Sequence, residues 1–185
     1  RQLRMQTGRS VVYARNGGAA ASQPLAVSAA IAVLKDGGSF IDAAIALSAV
    51  ICVVEPGASH LGGDAFLVTH HAASKTNLAI NGSGEAPHTA TPAAYADGMP
   101  LHGYKSGTVP GLVSTWFEAH ERYGKLPMAT LLAQAIDYAE NGFPVTELIA
   151  YYLGRSIPYL SKYNGFSEVF APNGEAPQKG EIFRN

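Results

Sequence analysis

The sequence has 185 residues, of which 47% are hydrophobic and 15% are charged, and its formal net charge is −1. This composition is typical of a globular domain with a sizeable core and excludes a disordered chain. The nearly neutral charge excludes a protein that binds nucleic acid through an extended basic surface.

The first predicted element is a short strand at residues 10–14, which a turn at residues 16–18 (NGG) closes. A helix should follow, because Ser22 is a favoured N-cap residue and Pro24 suits the first helical turn. This helix is predicted to end at Gly37-Gly38, where glycine permits a left-handed C-terminal cap.

A second helix is predicted to begin after Ser39, with Asp42 completing a capping box, and to end near Glu55-Pro56. Its residues are apolar almost all round, which predicts a buried helix. This helix contains Cys52, which is interpreted as a buried thiol. Because it is the single cysteine of the sequence, an internal disulfide is excluded. Glu55 is expected to hydrogen-bond a neighbouring loop rather than to act as a general base.

A glycine-containing loop at residues 57–64 then leads into two strands, at residues 65–70 and 78–81, whose spacing predicts an antiparallel hairpin. From Thr91 the pattern turns helical again. The remaining predicted elements are three helices and a terminal loop, at residues 111–123, 128–141, 148–152 and 164–185. Apolar helices beside a strand pair are typical of part of an α/β sandwich.

Residues 1–10 are polar and basic, so the chain as given should contain no signal peptide, although one cleaved earlier is compatible with it. The longest uncharged apolar stretch, residues 43–54, is too short to cross a bilayer. We therefore expect no membrane partner. The expected location is periplasmic or secreted if a signal peptide was removed, and cytoplasmic otherwise.

Several short phrases occur in a fixed order along the chain: residues 20–26 (AASQPLA), 37–44 (GGSFIDAA), 55–56 (EP), 62–66 (GGDAF), 109–111 (VPG) and 122–127 (RYGKLP). Together they resemble the start of the large subunit of γ-glutamyltranspeptidases, which are N-terminal-nucleophile hydrolases that cut themselves in two. The resemblance extends from about Ala20 to Asn185.

This resemblance implies an α/β (α+β) fold class, namely part of a four-layer αββα sandwich that is rich in helices and has a few antiparallel strands. Residues 1–185 would form a single incomplete domain, the N-terminal portion of a large subunit. The expected partners are the small subunit, or C-terminal segment of the same precursor, and a small-molecule amide substrate. No cofactor and no metal are expected.

The catalytic nucleophile is expected to lie outside this chain. N-terminal-nucleophile hydrolases attack with the first residue of a newly cut chain, whose own α-amino group serves as the base. The family's processing site is a pair of threonines, and no such pair occurs here. Arg1 cannot perform this attack, and an internal threonine has no free amine.

The candidate substrate-binding segment is residues 81–87 (NGSGEAP), specifically Ser83, Gly84 and Glu85. In γ-glutamyltranspeptidases this strand end carries an arginine that binds the α-carboxylate of the γ-glutamyl group, and the alignment places Ser83 there and Gly84 at the following glutamate. Residues 62–66 (GGDAF) and 81–87 (NGSGEAP) are more similar to the acylase-like branch of the family, which often has an arginine at the position of Glu85. The alternative is that the segment is only a turn after a strand.

Other candidates are weaker on chemical grounds. The loop that carries His60 and Asp64 is interpreted as a backbone-packing loop, and the alternative is that one of these two residues lines the site. The glycines before Asp64 lack the spacing of a nucleotide-binding loop. The adjacent residues His70 and His71 point to opposite faces of a strand, which disfavours a shared metal. A substrate-facing role for Lys105 has no support from the pattern.

The predicted function is a γ-glutamyltranspeptidase-like amidohydrolase or acyltransferase that acts on γ-glutamyl compounds such as glutathione through an acyl-enzyme. This chain alone should be inactive. One alternative is an acylase-like amide hydrolase, related to cephalosporin acylases, with a different acyl specificity. The other is a non-catalytic relative that serves as a binding scaffold.

Overall fold

A computed structural model describes residues 11–184 of the chain. Its elements in chain order are α1 (Pro24–Lys35), α2 (Phe40–Val54), β1 (Ala65–His71), β2 (Thr76–Gly82), α3 (Leu112–Tyr123), α4 (Met128–Asn141), β3 (Phe143–Pro144), α5 (Glu147–Leu160), α6 (Phe166–Phe170) and β4 (Ile182–Phe183), with short 3-10 turns at Pro92–Tyr95 and Tyr104–Ser106.

Helix α2 lies at the centre of the core, as its apolar sequence predicts. It packs against α1, α3 and α4, and Ile41, Val50 and Val54 are almost completely buried. Ser39 and Asp42 form the predicted capping box, in which each side chain accepts a hydrogen bond from the backbone N–H of the other. The buried helix and its N-terminal signal are confirmed.

The predicted N-cap of α1 is wrong. Gln23, not Ser22, caps the helix, and its side-chain oxygen accepts a hydrogen bond from the backbone N–H of Leu25 at 2.9 Å. Ser22 instead donates its hydroxyl hydrogen bond to Glu55 Oε2 at 2.5 Å. The Ser22 hydroxyl, which local preference predicts as the cap of α1, therefore bonds a residue that is distant in the sequence. Glu55 hydrogen-bonds a neighbouring loop, as expected.

The hairpin is confirmed as an antiparallel pair of β1 and β2, which extends from Ala65 opposite Gly82 to His71 opposite Thr76. One face packs against the helices through residues such as Leu67 and Ile80. On the other face Phe66 and Val68 are 71% and 83% exposed. An isolated two-stranded hairpin is marginally stable, so its packed face matters for holding the loops at its open end.

Helices α3 and α4 confirm the prediction, and Gly142 follows α4 with a φ of 85°. Helix α5 is longer than predicted and continues through Pro158. The segment predicted as a terminal loop contains α6 and β4. Strand β4 pairs with β3, which lies about forty residues earlier in the chain, so no local pattern predicts it. Between Thr91 and the start of α3, the helical pattern corresponds only to the two 3-10 turns at Pro92–Tyr95 and Tyr104–Ser106.

The N-terminal strand prediction is wrong for residues 11–14, which are irregular and exposed. A strand needs a neighbour to bond its backbone, and both sheets of the described chain consist of two other strands. Residue 10 lies outside the described residues. Within residues 11–184, no helix has the length and hydropathy needed to traverse a bilayer.

Candidate functional site

The segment after β2 is shaped by its own backbone contacts. Asn81 Oδ1 accepts a hydrogen bond from the backbone N–H of Ser83 at 3.1 Å, which turns the chain away from the strand. Gly84 has a φ of 64°, a left-handed conformation that favours glycine. The carbonyl of Glu85 then accepts a hydrogen bond from the N–H of Val109 at 2.9 Å.

A second loop, residues 108–112, closes over the open end of the hairpin. The N–H groups of Gly111 and Leu112 both donate to the carbonyl of Gly63, at 3.1 and 3.0 Å. The hydroxyl of Thr115, in the first turn of α3, donates to the Gly111 carbonyl at 2.9 Å. The loop before β1, the segment after β2 and the loop before α3 therefore meet at one place.

Two carboxylates face solvent at this junction. Asp64 and Glu85 are both exposed, and Asp64 Oδ1 accepts a hydrogen bond from the Thr108 hydroxyl at 3.1 Å. Within residues 11–184, neither carboxylate forms an ion pair with a lysine, arginine or histidine. This junction carries negative charge and hydroxyl groups.

Asp64 also borders a small cavity of about 160 Å³. Its lining includes His60 and Ser59 from the same loop and Ser48 and Cys52 from α2. Burial raises the pKa of the Cys52 thiol to about 11, because desolvation disfavours the thiolate. Cys52 is therefore a protonated core residue rather than a nucleophile, as its surroundings predict.

This pKa predicts slow alkylation of Cys52. At pH 8 the folded protein should react with iodoacetamide about 100-fold more slowly than the urea-denatured protein, because only the thiolate reacts and its fraction is smaller. The rate should increase with pH toward 11. Mass spectrometry of the modified peptide over a pH series measures both. A folded-state rate that levels off near pH 9 would contradict the assignment.

The other candidate residues form contacts elsewhere. Lys105 donates a hydrogen bond to the carbonyl of Ala94 at 3.1 Å. His70 contacts Asn77, and His71 contacts Ser74 and stacks on Tyr123. Among the described residues no group of three or more histidine, cysteine or acidic side chains is arranged to hold a metal.

The sequence pattern missed the contribution of Thr108. The hydroxyl contacts Asp64 across 44 positions of sequence, and no periodicity predicts a contact between two loops. The only local signal is the Val109-Pro110-Gly111 phrase that follows it. Asp64 was a weak candidate from its position alone, and the structure places it beside the Ser83–Glu85 segment.

Three comparisons bear on these residues. Residues 26–185 match the family model of γ-glutamyltranspeptidase. Oxamate amidohydrolase proenzyme from Klebsiella pneumoniae is 41% identical over 177 residues, which cover 91% of this chain and 33% of that protein. Cephalosporin acylase from Bacillus halodurans superposes with a TM-score of 0.89 at 40% identity, over 96% of this chain and 35% of that one.

The γ-glutamyltranspeptidase of Helicobacter pylori gives the same TM-score of 0.89 at 29% identity, over 95% of this chain and 52% of that one. These similarities confirm the predicted fold class, a helix-rich part of an N-terminal-nucleophile hydrolase sandwich. The matched part of the chain spans only 24% of the glutathione hydrolase-like YwrD proenzyme from Bacillus subtilis and 33% of the oxamate amidohydrolase proenzyme.

Proposed function

The chain belongs to the γ-glutamyltranspeptidase family, and from that membership we propose that it is the N-terminal part of a precursor whose complete form cleaves amides. Residues 1–185 would be one incomplete domain of the large subunit. The partner would be the small subunit, or C-terminal segment of the same precursor. Relatives named as proenzymes support this arrangement, as do the exposed Phe66 and Val68 on the hairpin.

The proposed reaction has two steps. A threonine of the partner segment attacks the substrate carbonyl, and its α-amino group accepts the hydroxyl proton and passes it to the leaving amine. The acyl group remains as an ester on the threonine. Water or a second amine then attacks this ester, which releases the acid or a new amide and restores the threonine.

This chain would contribute one wall of the acyl pocket, at Ser83, Gly84 and Glu85. The observation that supports the acyl specificity is the charge of that wall. Asp64 and Glu85 are carboxylates without an ion pair in residues 11–184, and Ser83 offers a neutral hydroxyl. A carboxylate on the acyl group would be repelled here, which favours an acylase-like amide hydrolase over a strict γ-glutamyl enzyme.

Hydrolysis of γ-glutamyl compounds such as glutathione is the second candidate. It is favoured by the family match and by relatives named glutathione hydrolase, among them the Bacillus subtilis proenzyme that matches 94% of this chain. In this case the cation that binds the γ-glutamyl carboxylate would come from the partner segment.

The test begins with mass spectrometry of the expressed full-length gene product, where a second chain that begins with threonine would establish self-cleavage. The processed enzyme is then assayed with four p-nitroanilides of matched chain length: γ-glutamyl, glutaryl, 4-aminobutyryl and butyryl. Faster release from the two acyl groups without a carboxylate would support the acylase-like function. Preference for γ-glutamyl would support the second candidate, and an uncut, inactive chain would support a non-catalytic scaffold.

Replacing Ser83 by arginine should raise kcat/KM for the γ-glutamyl and glutaryl anilides by about 10- to 100-fold, because guanidinium binds carboxylate through two charge-assisted hydrogen bonds. The butyryl anilide should not gain. Ser83→Gln supplies a side chain of intermediate length without charge and is the control. An equal gain in the glutamine variant, or no gain with arginine, would remove Ser83 from the acyl pocket.

A further inference from the structure

The loop at residues 108–112 sets the position of both neighbouring segments at the open end of the hairpin. It bonds Gly63 through two backbone N–H groups and Glu85 through a third. A side chain on Gly111 would overlap the carbonyl of Gly82, and a side chain on Gly84 would overlap the carbonyl of Val109. The three segments are therefore in direct backbone contact, and none can shift without moving another.

Thr108 adds the side-chain contact that orients Asp64. Its hydroxyl donates to Asp64 Oδ1 at 3.1 Å, so the carboxylate is held from one side by a loop that is itself anchored to Glu85. Within residues 11–184, Asp64 Oδ2 accepts no hydrogen bond and Asp64 has no ion pair. An oriented carboxylate with a free oxygen is an acceptor for an ammonium or amide N–H group.

Asp64 also has the right location to act on the acyl group. It directly precedes β1, whose first residue, Ala65, lies opposite Gly82 at the end of β2. The Ser83–Glu85 segment begins at the next residue along the chain. The Asp64 carboxylate therefore lies at the same end of the hairpin as the proposed pocket wall.

We infer that Asp64 binds an ammonium or N–H group on the acyl part of the substrate, and that Thr108 is a positioning residue that holds Asp64 for this contact. The inference rests on the proposed function, since it assigns a specificity to the same pocket. It predicts that acyl groups with an amino substituent are bound more tightly than matched acyl groups without one.

The test uses the full-length enzyme and the same four anilides. Asp64→Asn should raise KM for the 4-aminobutyryl and γ-glutamyl anilides, which carry an ammonium group, about 10-fold relative to their counterparts without one, the butyryl and glutaryl anilides. The butyryl anilide itself should stay within about twofold, and KM for the glutaryl anilide should not rise, because the variant removes a negative charge near its carboxylate. Thr108→Val should raise KM for the two anilides with an ammonium group about 3- to 5-fold with little change in kcat. Thr108→Ser should restore the wild-type KM, because it keeps the hydroxyl.

Thr130→Val is the matched control, since Thr130 is an exposed threonine on α4 whose side chain forms no hydrogen bond with any residue from 11 to 184. Equal KM changes for all four anilides would indicate a purely structural role and overturn the inference, as would the absence of any change in Asp64→Asn.

A binding measurement separates failure of this inference from failure of the proposed function. Calorimetric titration with 4-aminobutyramide and butyramide requires no turnover. If the wild type hydrolyses none of the anilides, the proposed function fails. The inference still stands if 4-aminobutyramide binds more tightly than butyramide and Asp64→Asn removes the difference, and it fails if the two amides bind equally or not at all.

Discussion

Gly84→Ala is expected to lower the kcat/KM of the complete enzyme by about 100-fold or more, because a displacement of roughly 1 Å in a positioning segment has that effect. Gly84 has a φ of 64°, where an alanine costs about 1–2 kcal/mol. Its Cβ would also overlap the backbone carbonyl of Val109. The Ser83–Glu85 segment would therefore have to separate from the loop that holds it.

Gly98→Ala provides the matched control for this effect. Gly98 also has a positive φ, 95°, but a Cβ there would have no atom of the described residues within 4 Å. The Gly98→Ala variant should lose stability through the same conformational cost of an alanine at positive φ, and it should keep the activity of the wild type. Kinetics of both variants with the preferred anilide decide the matter. If Gly84→Ala retained the activity of Gly98→Ala, the Ser83–Glu85 segment would not form part of the acyl pocket.

The largest loss of stability is expected from Asp42→Ala, about 3 to 5 kcal/mol in the free energy of unfolding. The Asp42 side chain is completely buried. Its carboxylate accepts hydrogen bonds from the backbone N–H groups of Ser39, Lys125 and Leu126, at 2.8, 3.0 and 3.1 Å. The alanine variant would leave these donors without their acceptor inside the protein.

Chemical denaturation of the full-length precursor measures this loss against two comparisons. Ser39→Ala removes only the reciprocal half of the capping box and should cost about 1 kcal/mol. Asp97→Ala replaces an exposed aspartate whose side chain has no hydrogen-bond partner in the described part of the chain, and it should change stability by less than about 0.5 kcal/mol. A loss in Asp42→Ala no larger than that in Ser39→Ala would show that the contacts to the loop between α3 and α4 contribute little.

The candidate site was predictable only in part. The motif around Ala86-Pro87 predicts Ser83, Gly84 and Glu85 as the substrate-binding segment, and the absence of a threonine pair from the sequence predicts a nucleophile outside the chain. Thr108 was not predictable, because its contact with Asp64 joins two loops whose approach depends on how α3 packs against the hairpin. Their roles in substrate binding stay predictions.

The secondary structure of the terminal region was also predictable only in part. Residues 164–185 were predicted as loop from their glycines and prolines, yet Ile182–Phe183 forms β4. This strand exists because Phe143 and Phe183 are both buried and pack edge to face, with ring centroids 5.9 Å apart. Two residues have too short a pattern to predict a strand, and their partner is distant in the sequence.

The sequence by itself determined the helices whose ends carry local signals: the Ser39–Asp42 capping box begins α2, and Gly142 ends α4. It also determined the family, through short phrases in a fixed order. Only the tertiary structure decided that Ser22 bonds Glu55 rather than capping α1, and that residues 63–64, 82–85 and 108–112 converge. The physical reason is the separation along the sequence. Helix caps and hydrophobic periodicity involve residues only a few positions apart, whereas these contacts form only when the packed helices and hairpin bring distant loops together.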